Sequence, residues 1–424
     1  MLALSPLIGL MDFMWGRNLF DPVAGDPGKI ITMLFMMALI TILVGSLASV
    51  REIVKEIAVY KRERAVNLKI VPYVMSKVWV GFVLALYQAM VFLIFKWIMV
   101  GLGPGQLGLA GWLALYITLF LGAMSGYLMG LAISAAAPNQ NMALLLVIVV
   151  LVPQFLFAGG LMPLDLIPGG KLISHVISTR WAFEAAVNIT GFGEPLTDDP
   201  CWDSLEKYGD EGEMGWNDYL NLTDEQKATA GCTCMGSRIF EGTCRDFPGI
   251  LNDDYYTEEA RAALTRGEPT QPEQPTPYPT FTPYPTLTPY PTMTPLPTPA
   301  NPADFDAYME DMEAQGDEYQ DLRQRQGDEY QNLRQQQGDE YRDLREAQGD
   351  EHEVAMEGYA DERSDWQRDR EQAIAGAEGM LKSIFESYGH AFQGQTASRY
   401  LTMSIIMVGV LSLIIVFQKR KDAV

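Results

Sequence analysis

The chain has 424 residues and a formal net charge of −22, with 53 acidic against 31 basic residues. That balance excludes a reader of phosphate backbones, so no nucleic-acid partner is expected. Hydrophobic residues make up 48% of the chain but are unevenly placed: the first 190 residues are mostly apolar and Asp198–Arg370 is strongly acidic, so the two halves belong to different solvents.

Leu2–Trp15 is apolar but short for a membrane span, which needs about 20 residues. It reads as a truncated first span or as a start that lies upstream, and it lacks the basic n-region of a cleavable signal peptide. Lys29–Val50 is the second span. Next comes Arg51–Arg64, REIVKEIAVYKRER, a dense polar run in an otherwise apolar stretch. Glu52 and Glu56 are one helical turn apart, as are Ile53 and Ile57, and Val59 and Tyr60 extend the apolar side. The spacing predicts an amphipathic connecting helix over 51–69 on a membrane surface. Tyr73–Val100 is the third span, with Lys96 near its end expected to snorkel to the interface. A Gly/Pro turn at 101–108 leads to the fourth span, Leu109–Ala135. After the 136–141 turn, Met142–Leu161 is the fifth, with a kink expected at Pro153. The last span, Tyr400–Phe417, runs directly into Lys419, Arg420 and Lys421. No charge pair is expected inside the spans, which weighs against an ion-coupled carrier.

Placing the basic 51–70 stretch in the cytoplasm also brings the final basic cluster there, as the positive-inside rule requires. The same threading puts residues 191–393 outside. Gly122, Gly126 and Gly130 lie on one face of the fourth span, where small residues allow close helix approach within one subunit or between two. Residues 158–185 are too broken by Gly and Pro to span and too apolar for a free loop, so they read as a re-entrant segment of short helices. Trp181 is placed at the interface, and His175 is read as structural.

Residues 191–268 hold the four cysteines, Cys201, Cys232, Cys234 and Cys244. Cys232-Thr233-Cys234 is not metal-ribbon spacing, and outside the cell disulfides are expected rather than a metal site. Residues 269–302 are rich in proline, with TPYPTF, TPYPTL and TPYPTM in succession from Thr276. Such a stretch is an extended polyproline II spacer of about 3.1 Å per residue, with Tyr278, Tyr284 and Tyr290 on one side.

A repeat of eleven residues follows: GDEYQDLRQRQ at 316, GDEYQNLRQQQ at 327, GDEYRDLREAQ at 338 and a decayed copy at 349. Tyr319, Leu322, Tyr330, Leu333, Tyr341 and Leu344, with Gln326, Gln337 and Gln348, recur at about 3.67 residues per turn, the period of a nearly straight or slightly right-handed coiled coil. Residues 303–393 are therefore expected to form a helical rod on the order of 130 Å long. The alternative is a solitary solvated helix held by charge pairs. Glycine in each repeat costs about 1 kcal/mol relative to alanine.

The membrane half resembles the permease domain of bacterial G-type ABC transporters, the White/pigment-precursor group of the type-2 exporters. The resemblance rests on REIVKEIAVYKRERAVNLKIVPYVMSKVW at 51–79, on FAGGLMPLDLIPGGKLISHVISTRWAFEA at 157–185 and on the order of spans over 1–190 and 400–424, the last span and basic tail being taken as 396–424. It implies an all-α fold of six transmembrane helices; the extracytoplasmic insertion before the last, with its proline spacer and rod, has no counterpart in the family. It implies a dimer of permease subunits, identical or not, in the inner membrane of a bacterial cell, in contact with lipids. It also implies that the connecting helix, through Glu52, Glu56, Tyr60, Arg62, Glu63 and Arg64, relays motion from an ATPase. Glu63 and Arg64 are adjacent and face apart, so each is expected to find a partner in a neighbouring span or in that ATPase.

No GxxxxGK[ST] phosphate loop occurs, since Gly169-Gly170-Lys171-Leu172 lacks the spacing and the hydroxyl. The chain is therefore expected to be no enzyme, to hold no metal and no catalytic residue, and to draw on ATP and Mg through a partner ATPase subunit. The function expected is that of an exporter's membrane subunit; the family's substrates do not carry over, and a lipid-like or hydrophobic substrate is expected from the apolar spans. The alternative is a membrane-anchored extracytoplasmic coiled-coil scaffold or sensor.

Overall fold

The computed structural model describes residues 4–161, 164, 167–202, 215–277, 294–298 and 300–422. The chain divides into two units, Met1–Arg266 with Arg368–Val424, and Gly267–Gln367. No strand occurs among the described residues.

The first unit begins with α1 (Leu4–Gly9) and a 3-10 turn, Leu10–Met14. Helix α2 (Pro27–Ser49) starts on Asp26, whose carboxylate accepts from the Lys29 N–H. Pro27 at its first turn needs no amide partner. After the short α3 (Ile57–Ala65) come α4 (Ile70–Val100) and α5 (Pro104–Ala136), the latter broken at Gly108, whose φ of 69° and ψ of 165° interrupt the helix. Helix α6 (Gln140–Leu156) is capped by Asn139 and contains Pro153. Two short helices, α7 (Gly170–Ser174) and α8 (Ser178–Ile189), complete the segment expected to be re-entrant.

Four helices are long and apolar enough to cross a membrane among the described residues: those beginning at Pro27, Ile70, Leu107 and Thr396. The first and fifth expected spans are shorter apolar helices, Ser5–Met14 and Gln140–Leu156. In both, turns interrupt the apolar run: Trp15–Gly16 closes the first, and the Ala158–Leu161 bend closes the other.

Helices α2 and α5 form the centre, flanked by α4, α8 and α14 (Thr396–Asp422). The α2–α5 seam is set by glycine. A Cβ on Gly126 would lie 2.2 Å from the Ile42 carbonyl oxygen, and one on Gly130 would lie 2.3 Å from that of Ser46. Ser46 and Ser49 hydroxyls donate across the seam to the Gly126 and Tyr127 carbonyls at 3.0 and 2.6 Å. Close backbones and hydroxyl bridges are what holds helices together where burial from lipid gives little drive. The glycine stripe thus packs inside one subunit.

Four short helices, α9 (Glu194–Thr197), α10 (Trp216–Leu220), α11 (Asp224–Thr229) and α12 (Glu258–Thr265), build a polar head in the same unit. Two disulfides, Cys201–Cys232 and Cys234–Cys244, staple it. Buried Asp199 ties the bridged segments together, accepting from the N–H groups of Cys201, Thr233 and Cys234. Asp199, Cys201 and Cys232 lie close enough to suggest a metal site. Both sulfurs are spent in a bridge and the carboxylate is filled by backbone donors, so the cluster is a structural tie.

The head closes on the C-terminal part of α13 (Phe305–Phe392). Phe385 packs against both Trp202 and Trp216, which stack on each other, and Lys227 donates to Glu378 at 2.8 and 2.9 Å. Arg370 donates to Asp224 at 2.8 Å, and the Ser237 N–H donates to the other carboxylate oxygen. Burial pushes the Asp224 carboxyl up, but those donors outweigh it and hold it below the usual carboxylate range.

In the second unit, α13 runs without a break through the eleven-residue repeats. The tyrosine and glutamine positions of the repeat are half-buried, whereas Leu322, Leu333 and Leu344 are 39%, 41% and 43% exposed. The stripe expected as one seam is therefore split between a covered and an open side. The tyrosine-bearing proline repeat at 278–293 lies outside the described residues.

Candidate functional site

The polar run after α2 does not form one helix over 51–69. A 3-10 turn at Val54–Glu56 precedes α3, and Asn67 at a φ of 82° ends it before α4 begins. The turn exists because Ser134 of α5 takes two of its amides, the Ile53 and Val54 N–H groups, each at 3.0 Å. Ile53, Val54 and Tyr60 are buried on this underside, while Val59 is exposed.

The acidic residues of this segment face a lysine that sequence reading did not single out. Lys77, two turns into α4, lies 2.6 Å from Glu56 and 3.8 Å from Glu52. Glu52 also holds Lys55 at 2.7 Å. The Tyr60 and Tyr73 rings meet at 4.8 Å, adding an aromatic contact between the segment and α4. Glu52, Glu56 and Tyr60 are thus brought together, and through Lys77, Tyr73 and Ser134 the connecting segment is fastened to two long helices. The signal for Lys77 was present: it is the one cation between Lys69 and Lys96, five residues after Pro72.

Other expected residues stand apart. Arg64 turns back on its own loop and donates to the Leu68 carbonyl at 2.5 Å, so one of its partners lies within the segment. Arg62 and Glu63 are exposed on the outer side of α3. Beside α3, a cavity of about 410 Å³ is bounded by Ile57, Lys61, the end of α5, and Phe417, Arg420 and Lys421 of α14. Lys421 donates to the Ala137 carbonyl at 2.8 Å, so the final basic cluster is drawn to the same end of the bundle as the connecting segment.

Two charged sites inside the apolar region correct the sequence reading. Lys96 does not snorkel: it is 3% exposed and its Nζ lies 2.6 Å from Asp12. Asp12 comes from the short N-terminal segment, which folds against α4 and supplies the counter-charge that makes inward burial cheaper than reaching for the interface. This intramembrane pair borders an apolar cavity of about 360 Å³ lined by Met11, Trp15, Met36, Met37 and Phe92.

The second site is Glu184 of α8, 3% exposed, held by Arg180 at 2.7 Å and Arg399 at 3.4 Å. Arg399 also donates to the carbonyls of Glu184, Ala391 and Gln393, clamping the return from α13 to α14.

Residues 7–190 match the family model described as ABC-2 type transporter. This stretch is therefore similar to an ABC-2 type transporter membrane domain. A relative, an ABC transporter ATP-binding/permease protein of Mycobacterium tuberculosis, is 28% identical over 173 residues, covering 40% of this chain and 19% of the relative. The chain thus spans about a fifth of the length of the curated relative it matches. The matched domain includes α2 to α8, and with them the connecting segment, Lys77 and the buried Asp12–Lys96 pair.

Proposed function

We propose that this chain is a membrane-spanning permease of an ABC transporter, driven by an ATPase subunit or domain that handles ATP and Mg. The observation that carries the reading is the staple of Glu52 and Glu56 on Lys77, placed within the matched domain. A push on α3 is transmitted to α4 by the charge pairs and to α5 by the Ser134 bonds. The ATP-binding/permease name of the relative supports the pairing with an ATPase.

Export of a lipid-like or hydrophobic cargo by a G-type dimer in a bacterial inner membrane is the finer reading, with residues 191–393 extracytoplasmic. The apolar cavity beside Asp12–Lys96 favours an apolar or amphipathic cargo. A second reading, a membrane-anchored scaffold, draws on Gly267–Gln367 forming a unit of its own.

Purification from native membranes separates the two. ATPase activity that stays with the chain through size-exclusion chromatography in mild detergent is the expected result. A chain that purifies with no ATPase, from cells that express all its neighbours, removes the transport reading.

A further inference from the structure

The cavity beside α3 has a lining that the transport reading leaves unused. It holds about 410 Å³ and is bounded by Lys61, Arg420 and Lys421, with Ile57, Phe417 and the end of α5. Three of these side chains are cations, and no acid of the described residues lines the space. A sphere of that volume is about 9 Å across, close to the Debye length of about 8 Å at physiological salt, so the three charges act on one another. Like charges this close repel unless an anion joins them. Lys421 is met only by the Ala137 carbonyl, at 2.8 Å. Lys61 and Arg420 form no ion pair among the described residues.

The same lining pairs charge with apolar surface. Ile57 and Lys61 are four residues apart on α3, and Phe417 and Lys421 are four apart on α14. Each helix therefore presents an apolar side chain and, one turn along the same face, a cation. Leu413, one turn before Phe417, is 50% exposed and extends the apolar track away from the charges.

The cavity also sits at a defined level. The apolar run of α5 ends at Ala136, and that of α14 ends at Phe417, just before Gln418 and the basic residues. Two long apolar helices end here together, at the level where a bilayer changes from acyl chain to headgroup.

We propose that this cavity is a binding site for one anionic phospholipid. The phosphate is held among Lys61, Arg420 and Lys421, and an acyl chain runs past Phe417 along Leu413. Basic pockets between membrane helices hold anionic headgroups in this way. The proposed topology puts the cavity in the cytoplasmic leaflet, whose surface is negative. Free phosphate has the same charge but makes no use of the apolar track. The lipid bridges α3 to α14, joining the connecting segment to the last span as Lys77 joins it to α4. This binding rests on the chain's spanning a membrane, not on its coupling to an ATPase.

The test is a titration of the delipidated full chain in mild detergent, read by native mass spectrometry. The probes are phosphatidylglycerol, phosphatidylcholine and inorganic phosphate. One phosphatidylglycerol should bind at least about tenfold more tightly than phosphatidylcholine. Lys61→Gln with Arg420→Gln removes two cations and should weaken that binding about thirtyfold. Arg62→Gln with Lys419→Gln removes the same charge from exposed positions outside the cavity and should change it less than about twofold. Phe417→Ser should weaken the lipid and leave phosphate binding unchanged. Leu413→Ser, at the surface, repeats that comparison in case Phe417→Ser misfolds. Equal loss from the two double variants, or equal affinity for the two lipids, would overturn the proposal. So would displacement of the lipid by millimolar inorganic phosphate, the mark of a plain anion site. Lipid binding that survives Lys61→Gln with Arg420→Gln, while a co-purified protein is lost, would overturn it in favour of a protein interface.

Discussion

Glycine recurs at regular intervals both in the membrane bundle and in the repeat helix, with opposite consequences. Along α5, a methyl on Gly126 or Gly130 would collide with the backbone or side chains of α2. Along α13, no described atom lies within 4 Å of a methyl built on Gly316, Gly327 or Gly338. In the bundle, glycine is the contact itself, because close packing and hydroxyl bridges must hold helices together in lipid. In the polar helix it weakens the element that carries it, and other features must offset that loss. The same contrast governs charge. The bundle buries its few ions in matched pairs, Asp12 with Lys96 and Glu184 with Arg399, while α13 exposes pairs such as Asp321–Arg325.

Breaking a buried pair should therefore have the largest effect. Asp12→Ala strands Lys96 and is expected to cost about 3–5 kcal/mol, read as a lower unfolding midpoint in nanodiscs. Asp12→Leu combined with Lys96→Met should recover most of that loss; a double variant as unstable as the single one would mean that the pair is not the reason. Next, Gly126→Ala should cost about 3 kcal/mol, the upper end for overpacking, since the obstacle is a backbone carbonyl that cannot step aside.

The head should respond to acid. The Asp224 carboxyl is held below its usual range in the folded state, so its contribution is present above the unfolded value, about 3.9, and is lost as pH falls through the folded one. Protection of the head against hydrogen exchange should drop over that acid range in the native protein, and Asp224→Asn should flatten the dependence. The smallest effect is expected at Gly358, exposed on α13, where Gly358→Ala should raise stability by about 1 kcal/mol. Destabilisation there would show that the polar helix, like the bundle, uses its glycines for contact.

Much of this fold could be read from the residues. Long apolar runs, the proline stretch and an eleven-residue period each dictate one local geometry, so α2, α4, α5, α13 and α14 follow from pattern alone. Pairing did not follow. Lys96 looked like a snorkelling end residue because nothing in its own helix reveals that Asp12, 84 positions away, folds against it. Lys77 gave no hint of serving two glutamates, since that depends on the turn that Ser134 imposes on Ile53 and Val54. The amphipathic period of 51–69 likewise ignored that turn and ran the helix too far. In the repeat helix the period was right, but which side is covered depends on what lies against it, and α13 alone cannot tell.

The central claim is that motion passes from the connecting segment to the bundle through Glu56 and Lys77. The most direct measurement is ATP turnover of the purified transporter in nanodiscs, with and without extracted native lipid as cargo. Lys77→Glu should leave assembly intact and abolish stimulation, and Glu56→Lys added to it should restore a large part. Normal stimulation in Lys77→Glu, in a complex of unchanged composition, would contradict the account.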